Sequence, residues 1–115
     1  MNNFDTLLEN FSSMIENLDN EIFLFGDSSY GYGYFISLTF NGDTIVLYLC
    51  EERNHEEIYS GVYSRTLLKD KEYQKNLLIF YIDLVKKDMQ AWKEEILGEY
   101  NDTETQLNEL LKSME

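Results

Sequence analysis

Not one lysine or arginine occurs in the first 52 residues, and the whole chain has no proline, one cysteine and one histidine. Each absence removes a class of explanation. A lone cysteine, Cys50, excludes an intrachain disulfide and a multi-cysteine zinc site. Within the apolar run Leu47-Tyr48-Leu49-Cys50 it reads as a small buried hydrophobe. A lone histidine means that any imidazole chemistry must use His55, which lies among Glu51, Glu52, Arg53, Asn54, Glu56 and Glu57. Those carboxylates could raise its pKa or help it hold a metal; a solvated loop histidine is the plainer reading. With no proline, repeat or low-complexity tract, no linker is visible, and residues 1–115 read as one domain. No apolar run approaches the ~18 residues of a membrane span. The opening is acidic and amphipathic rather than basic then apolar, so no signal peptide is expected. The expected compartment is the cytoplasm of a bacterium or of a phage-infected bacterial cell.

What the chain has is acid: 22 carboxylates against nine bases, a formal charge of −13. The charge is zoned. Residues 1–52 carry −9, residues 53–93 carry +2, and residues 94–115 carry −6, with Lys112 as their only base. An apolar fraction of 43%, with 15% aromatic, is too high for a disordered acidic tail, so the charge is expected on the outside of a real core. Such a surface repels nucleic acid and anionic lipid and attracts basic partners.

Hydrophobic spacing predicts the elements. Phe4, Leu7, Leu8, Phe11, Met14, Ile15 and Leu18 follow a helical period, with Asn2 or Asn3 as cap and Asp19-Asn20 as its end. Glu21–Phe25 reads as a short strand stopped by Gly26-Asp27-Ser28-Ser29. Tyr34–Phe40 and Asp43–Cys50 flank Asn41-Gly42, a two-residue hairpin signal that sets Leu38 against Ile45, Ile36 against Leu47 and Tyr34 against Leu49. One face of that hairpin is apolar. The other, with Phe35, Ser37, Thr39, Val46 and Tyr48, is mixed, as in a sheet covered on one side. Glu51–Glu57 reads as a charged loop and Ile58–Ser64 as a further strand. From about Asp70 to Leu97 the period is helical, with Leu78, Ile82, Val85, Met89, Trp92 and Ile96 on one face; Leu77–Ile82 is also compatible with a buried strand. Gly98 is a natural stop. Thr103 and Gln106 fit a capping box for a last helix burying Leu107, Leu110, Leu111 and Met114. The expected fold is α+β, in the order α-β-β-β-β-α-α: an antiparallel sheet of three or four strands flanked by one N-terminal and two C-terminal helices.

No catalytic constellation stands out. Gly26 to Gly33 is glycine-rich, but Tyr32 follows Gly31 where a phosphate loop needs lysine, and Ile36 occupies the third glycine position of a dinucleotide fingerprint. Ser28 and Ser29 have no recognisable base nearby. The acids lack the calcium-loop pattern, and nothing selects a hydrolytic pair among them. The chain reads as a non-enzyme without cofactor or metal.

Binding features are stronger. Asp5, Glu9, Glu16 and Asp19 form a stripe along the first helix, roughly 21 Å long at ~1.5 Å per residue, with i,i+4 neighbours ~6 Å apart. That spacing is close to that of successive phosphates on one strand. The plain alternative is a solvated helix face, yet such faces usually interleave lysine, and this one has none. Tyr30, Tyr32 and Tyr34 alternate with glycine beside Asp27, the composition of protein-recognition loops, and Tyr59 and Tyr63 could extend an aromatic surface. The alternative is a glycine-kinked strand whose tyrosines pack on neighbours. In size, charge and element order the chain resembles the small acidic anti-CRISPR and DNA-mimic inhibitors. That resemblance implies an inhibitor of a basic nuclease or other nucleic-acid-binding protein, in an anti-defence or a toxin-immunity setting. A small acidic chain opening with a helix and then strands is also similar to the type III secretion chaperones. That likeness implies a client-binding homodimer, and in this chain the mixed sheet face (Phe35, Val46, Tyr48) or the last helix would make the dimer and client contacts.

Overall fold

The computed structural model describes residues 4–27, 32–52, 55–92, 105 and 108–114; for residues 25–27, 32 and 92 it describes the backbone. Its architecture is α+β. An N-terminal helix is followed by a four-stranded antiparallel sheet in the order β1-β2-β3-β4 and then by the C-terminal helices.

Helix α1, Phe4–Asn17, buries Phe4, Leu7, Phe11, Met14 and Ile15. It ends at Leu18, whose φ of 55° is left-handed, and the Asp19 amide donates to the Met14 carbonyl at 3.1 Å, closing the last turn. Glycine is the usual residue there; leucine is held because its side chain packs on the core. Strand β1, Glu21–Asp27, runs past the expected stop at Gly26 and carries a bulge between Phe23 and Phe25.

The hairpin of β2 (Tyr32–Asn41) and β3 (Thr44–Glu51) differs from expectation by two residues. Asn41 pairs with Thr44, so Gly42-Asp43 form the turn, and Leu38 faces Leu47, Ile36 faces Leu49 and Tyr34 faces Glu51. Gly42 takes a φ of +62° as first central residue, the position where such a turn favours glycine. Three bonds hold this register: Thr44 Oγ1 donates to the Asn41 carbonyl (3.1 Å), the Arg65 amide to Asp43 (2.8 Å) and the Arg65 guanidinium to Gly42 (3.2 Å). A slip of two leaves each side chain on its predicted face, because strand side chains alternate with period two.

Strand β4, Glu56–Ser64, begins within the expected loop. A short helix not anticipated from sequence, α2 (Arg65–Leu68), follows, with Ser64 Oγ accepting from the Leu67 amide. Asp70 Oδ1 caps α3, Lys71–Trp92, by accepting from the Tyr73 amide at 3.1 Å. Leu77–Ile82 is therefore helical, and Leu77, Leu78, Tyr81, Ile82, Val85 and Met89 are buried. Ile96, Gly98, Thr103, Gln106 and Leu107 lie outside the described residues, as do Asn2 and Asn3. A last helix, α4, spans 108–113 and buries Leu110.

The core lies on one face of the sheet. Leu24, Tyr34, Ile36, Leu38, Ile45, Leu47 and Leu49 meet the apolar faces of α1 and α3. Two polar ties fix the helices. Ser12 Oγ donates to Gln74, whose Nε2 donates to the Leu68 carbonyl, and the Phe4 amide donates to Ser113 Oγ at 2.9 Å, joining α4 to the start of α1. Glu51 departs from the expectation that every carboxylate lies outside: it is 2% exposed, because it continues the inward row of Ile45, Leu47 and Leu49.

One-sided coverage has a measurable signature. Phe11→Ala, at a fully buried site, is expected to cost about 3–5 kcal/mol, and Phe23→Ala, on the uncovered face, about 1 kcal/mol or less, by urea unfolding. Raising ionic strength from low to physiological should increase the midpoint, because salt screens the self-repulsion of a −13 chain.

Candidate protein-binding face

Alternation sends Phe23 of β1, Phe35, Ser37 and Thr39 of β2, Val46, Tyr48 and Cys50 of β3, and Ser60 and Val62 of β4 to the face opposite the helices. Register pairs Phe23 with Phe35, Ser37 with Tyr48 and Val46 with Val62. These side chains are half-buried or exposed, Val62 at 68%. Among the described residues no helix packs on this face.

Among the described residues its charge has one sign. None of the four strands contains a lysine or arginine. Glu21 lies opposite Ser37 and Glu57 opposite Cys50, so both carboxylates rise from this face. Their proximity registers at the Cys50 thiol. Burial pushes its pKa above the ordinary 9.0, a hydrogen bond with Ser37 draws it partly back, and Glu57 and Glu21 push it up again. Gly33 serves the same surface: a Cβ there would sit 3.0 Å from the Phe23 ring and 3.1 Å from a Glu52 carboxylate oxygen. The absent side chain is what lets Phe23 lie against β2 with Glu52 beside it.

The residues singled out from sequence are not one surface. Asp5, Glu9 and Glu16 are exposed, but on the flank of α1 that faces α3, on the helix side of the sheet. Ser12, in the same row, is buried against Gln74. Nor is the stripe without bases nearby. Lys71 lines the groove bordered by Asp5, Glu9 and Glu16, and Arg65, Lys69 and Lys71 line a cleft of about 410 Å³ beside Glu16. Sequence distance hides these bases; the packing of α1 on α3 supplies them. Asp19 leaves the row at the left-handed Leu18 and lines a different groove with Glu21 and Phe23.

The tyrosines divide as well. Tyr34 is fully buried, and its hydroxyl donates to Asp88 Oδ2 at 2.7 Å, so it is a core residue and not a surface anchor. Its inward parity with Ile36 and Leu38 is the cause, and the hydroxyl's bond to α3 satisfies its polar end. Tyr59 and Tyr63 lie on the helix side of β4. Tyr59 packs edge-on against Phe80 and Tyr81, with centroids 5.3 and 5.7 Å apart. Tyr63 is half-buried, with its hydroxyl 3.2 Å from that of Tyr81 and its ring against Tyr73. Tyr59 alone of these three keeps substantial exposure, at 36%. Tyr30 lies outside the described residues, and so do the side chains of Asp27 and Tyr32.

The face therefore contains residues that sequence reasoning did not select for partner contact, namely Phe23, Glu21, Glu57 and Val62. The available signal was the absence of bases from every strand, which only the register turns into a surface. Among the described residues no group of three or more His, Cys, Asp or Glu side chains gathers as a metal site, and no helix is long and apolar enough to cross a membrane. Comparison with protein-family models, curated proteins and solved structures gives no match.

The tyrosine cluster makes an alkaline prediction. Burial raises the Tyr81 phenol far above its ordinary 10.0, with the Tyr63 hydrogen bond adding to it, and burial likewise raises Tyr63. Both hold their protons to higher pH in the fold than in the unfolded chain, where the ordinary value is 10.0. Their contribution is thus intact below that pH and lost as pH rises beyond it. Near-ultraviolet tyrosinate absorbance should show phenols that ionise only on unfolding, and Tyr81→Phe should make the alkaline loss of stability shallower.

Proposed function

We propose that the protein is a non-enzymatic acidic inhibitor that binds a basic nucleic-acid-handling protein, such as a nuclease, through the uncovered sheet face. The observation that carries this reading is the charge of that face, which has one sign among the described residues: apolar and aromatic side chains (Phe23, Phe35, Tyr48, Val62) edged by Glu21, Glu52 and Glu57, on strands with no base. Aromatics that exclude water supply affinity, and the carboxylates around them steer a cationic partner and set which partner is accepted. Nucleic acid itself, being anionic, is disfavoured as a ligand. The chemistry of the face suits an anti-defence protein or an immunity protein equally, since both must outcompete phosphate for a basic surface.

The α1 stripe is a separate element of the proposal. It lies across the sheet from this face, so a partner must wrap round the β1 edge, past Asp19 and Glu21, to reach both. Glu16 with its neighbouring bases also presents a more balanced surface than the strands do. An acidic homodimeric adaptor is the alternative use of the same face, because α4 is committed to Phe4 and the core and is less available for client contact.

Titration of the full chain into cleavage assays with a panel of basic nucleases tests the proposal, provided inhibition is followed against ionic strength. Inhibition should fall as salt rises. Against a responsive nuclease, Phe35→Ala should weaken inhibition by about 10-fold or more. Glu21→Lys with Glu57→Lys should chiefly slow association. Reversing Asp5, Glu9 and Glu16 to lysine should have the smaller effect; the opposite ranking would transfer the site to α1. Inhibition of no basic nuclease at low salt would refute the reading.

A further inference from the structure

Strand register arranges the uncovered face as a grid. Its middle row reads Glu21, Ser37, Tyr48 and Ser60 from β1 to β4. The row on one side reads Phe23, Phe35, Cys50 and Glu57, and the row on the other reads Thr39, Val46 and Val62. The large groups therefore do not fill the face evenly. Phe23, Phe35, Tyr48 and Val62 lie along a diagonal from β1 to β4, with the small Ser37 and Cys50 bordering it on opposite sides. Glu21 stands on the Ser37 side and Glu57 on the Cys50 side. Burial raises the pKa of the Cys50 thiol most, and both carboxylates add to it, as groups facing one surface must. At ~4.8 Å between strands and ~3.4 Å per residue, the diagonal is roughly 20 Å long and the two carboxylates spring from backbone points roughly 16 Å apart.

We infer that this diagonal seats a basic amphipathic helix of the partner, its apolar stripe on Phe23, Phe35, Tyr48 and Val62 and its lysines or arginines on both flanks, against Glu21 and Glu57. The inference rests on the reading of this face as the partner-binding surface and adds the form of the element that binds it. A helix is ~10–12 Å across and rises ~1.5 Å per residue, so about 13 residues cover the diagonal. A strand or loop laid over side chains leaves its own amides and carbonyls without partners, whereas a helix arrives with its backbone bonds made. The other face of the same sheet already takes helices, α1 and α3. Charge selects a foreign and basic occupant. Residues 94–107 hold five carboxylates and no base, so that segment of this chain would set acid against acid, as would the same face of a second copy. A carboxylate on each side of the apolar line asks for bases on both flanks of the helix, not on one.

Two fluorescent peptides of about 18 residues, both built from the same leucines, lysines and alanines, test the inference on the full chain at low salt. One carries leucine at i, i+4, i+7 and i+11 with lysine on both flanks; the other scrambles those residues so that no stripe forms. The striped peptide should bind about 10-fold or more tighter by fluorescence anisotropy, and Tyr48→Ala should remove about 10-fold of its affinity. Glu21→Gln and Glu57→Gln should each weaken it about 2–5-fold and together by the product, since they meet opposite flanks. Bound striped peptide should slow alkylation of Cys50, the chain's single thiol, which borders the diagonal. Urea midpoints check that each variant folds. Equal affinity for the two peptides overturns the inference, as does binding indifferent to Tyr48→Ala or to the double glutamine variant, or an unprotected Cys50. Nuclease inhibition is a separate readout. Inhibition of a nuclease while the two peptides bind alike removes the helix alone, and selective peptide binding without inhibition of any nuclease removes the nuclease reading alone.

Discussion

Everything in this fold follows from covering the sheet on one side only. Tyr34, Ile36, Leu38, Ile45, Leu47 and Leu49 point the same way, and α1 and α3 meet them with Phe11, Met14, Leu78, Ile82 and Val85. At roughly 1.5–3 kcal/mol per large apolar side chain removed from water, that interface is the main force available against the self-repulsion of 22 carboxylates. Coverage of one face also decides what the rest of each strand can be. Side chains of opposite parity remain at the surface, and in this chain they are aromatic, small or acidic, never basic.

The bases follow the same division. Among the described residues, Arg65, Lys69, Lys71, Lys75, Lys86, Lys87 and Lys112 all belong to the helices or the turn between α2 and α3, on the covered side. Three of them line the cleft beside Glu16. The molecule is polarised across the sheet as well as along the chain. A net charge of −13 thus understates the contrast, among the described residues, between a helical side of mixed sign and a strand side of a single sign.

Much of the architecture was legible in order of residues alone. The period of Phe4 to Ile15 and that of Leu78 to Met89 define the two long helices, and glycine at 42 with alternating flanks defines the hairpin. The slip of two residues at the turn was not legible, because two of the three bonds that hold it come from Arg65, which lies beyond β4. Nor was the burial of Glu51: charge argues for the surface, and strand parity argues against it more strongly. Tyr34 is a similar case. Its glycine neighbours resemble those of a recognition loop, but its inward parity and the Asp88 carboxylate on α3 make it a core residue. The α1 stripe was correctly exposed and wrongly isolated, since periodicity reports which side of a helix is polar and not what packs beside it.

The sequence by itself determined the α+β order, the apolar faces and the zoning of charge, because these depend on side-chain period and on residue type at neighbouring positions. Only the tertiary structure decided which acids share a surface and which tyrosines are buried. Those properties depend on pairs far apart in the chain, such as Tyr34 with Asp88, Ser12 with Gln74 and Arg65 with Gly42. No local spacing encodes them, because each arises where two independently formed elements meet.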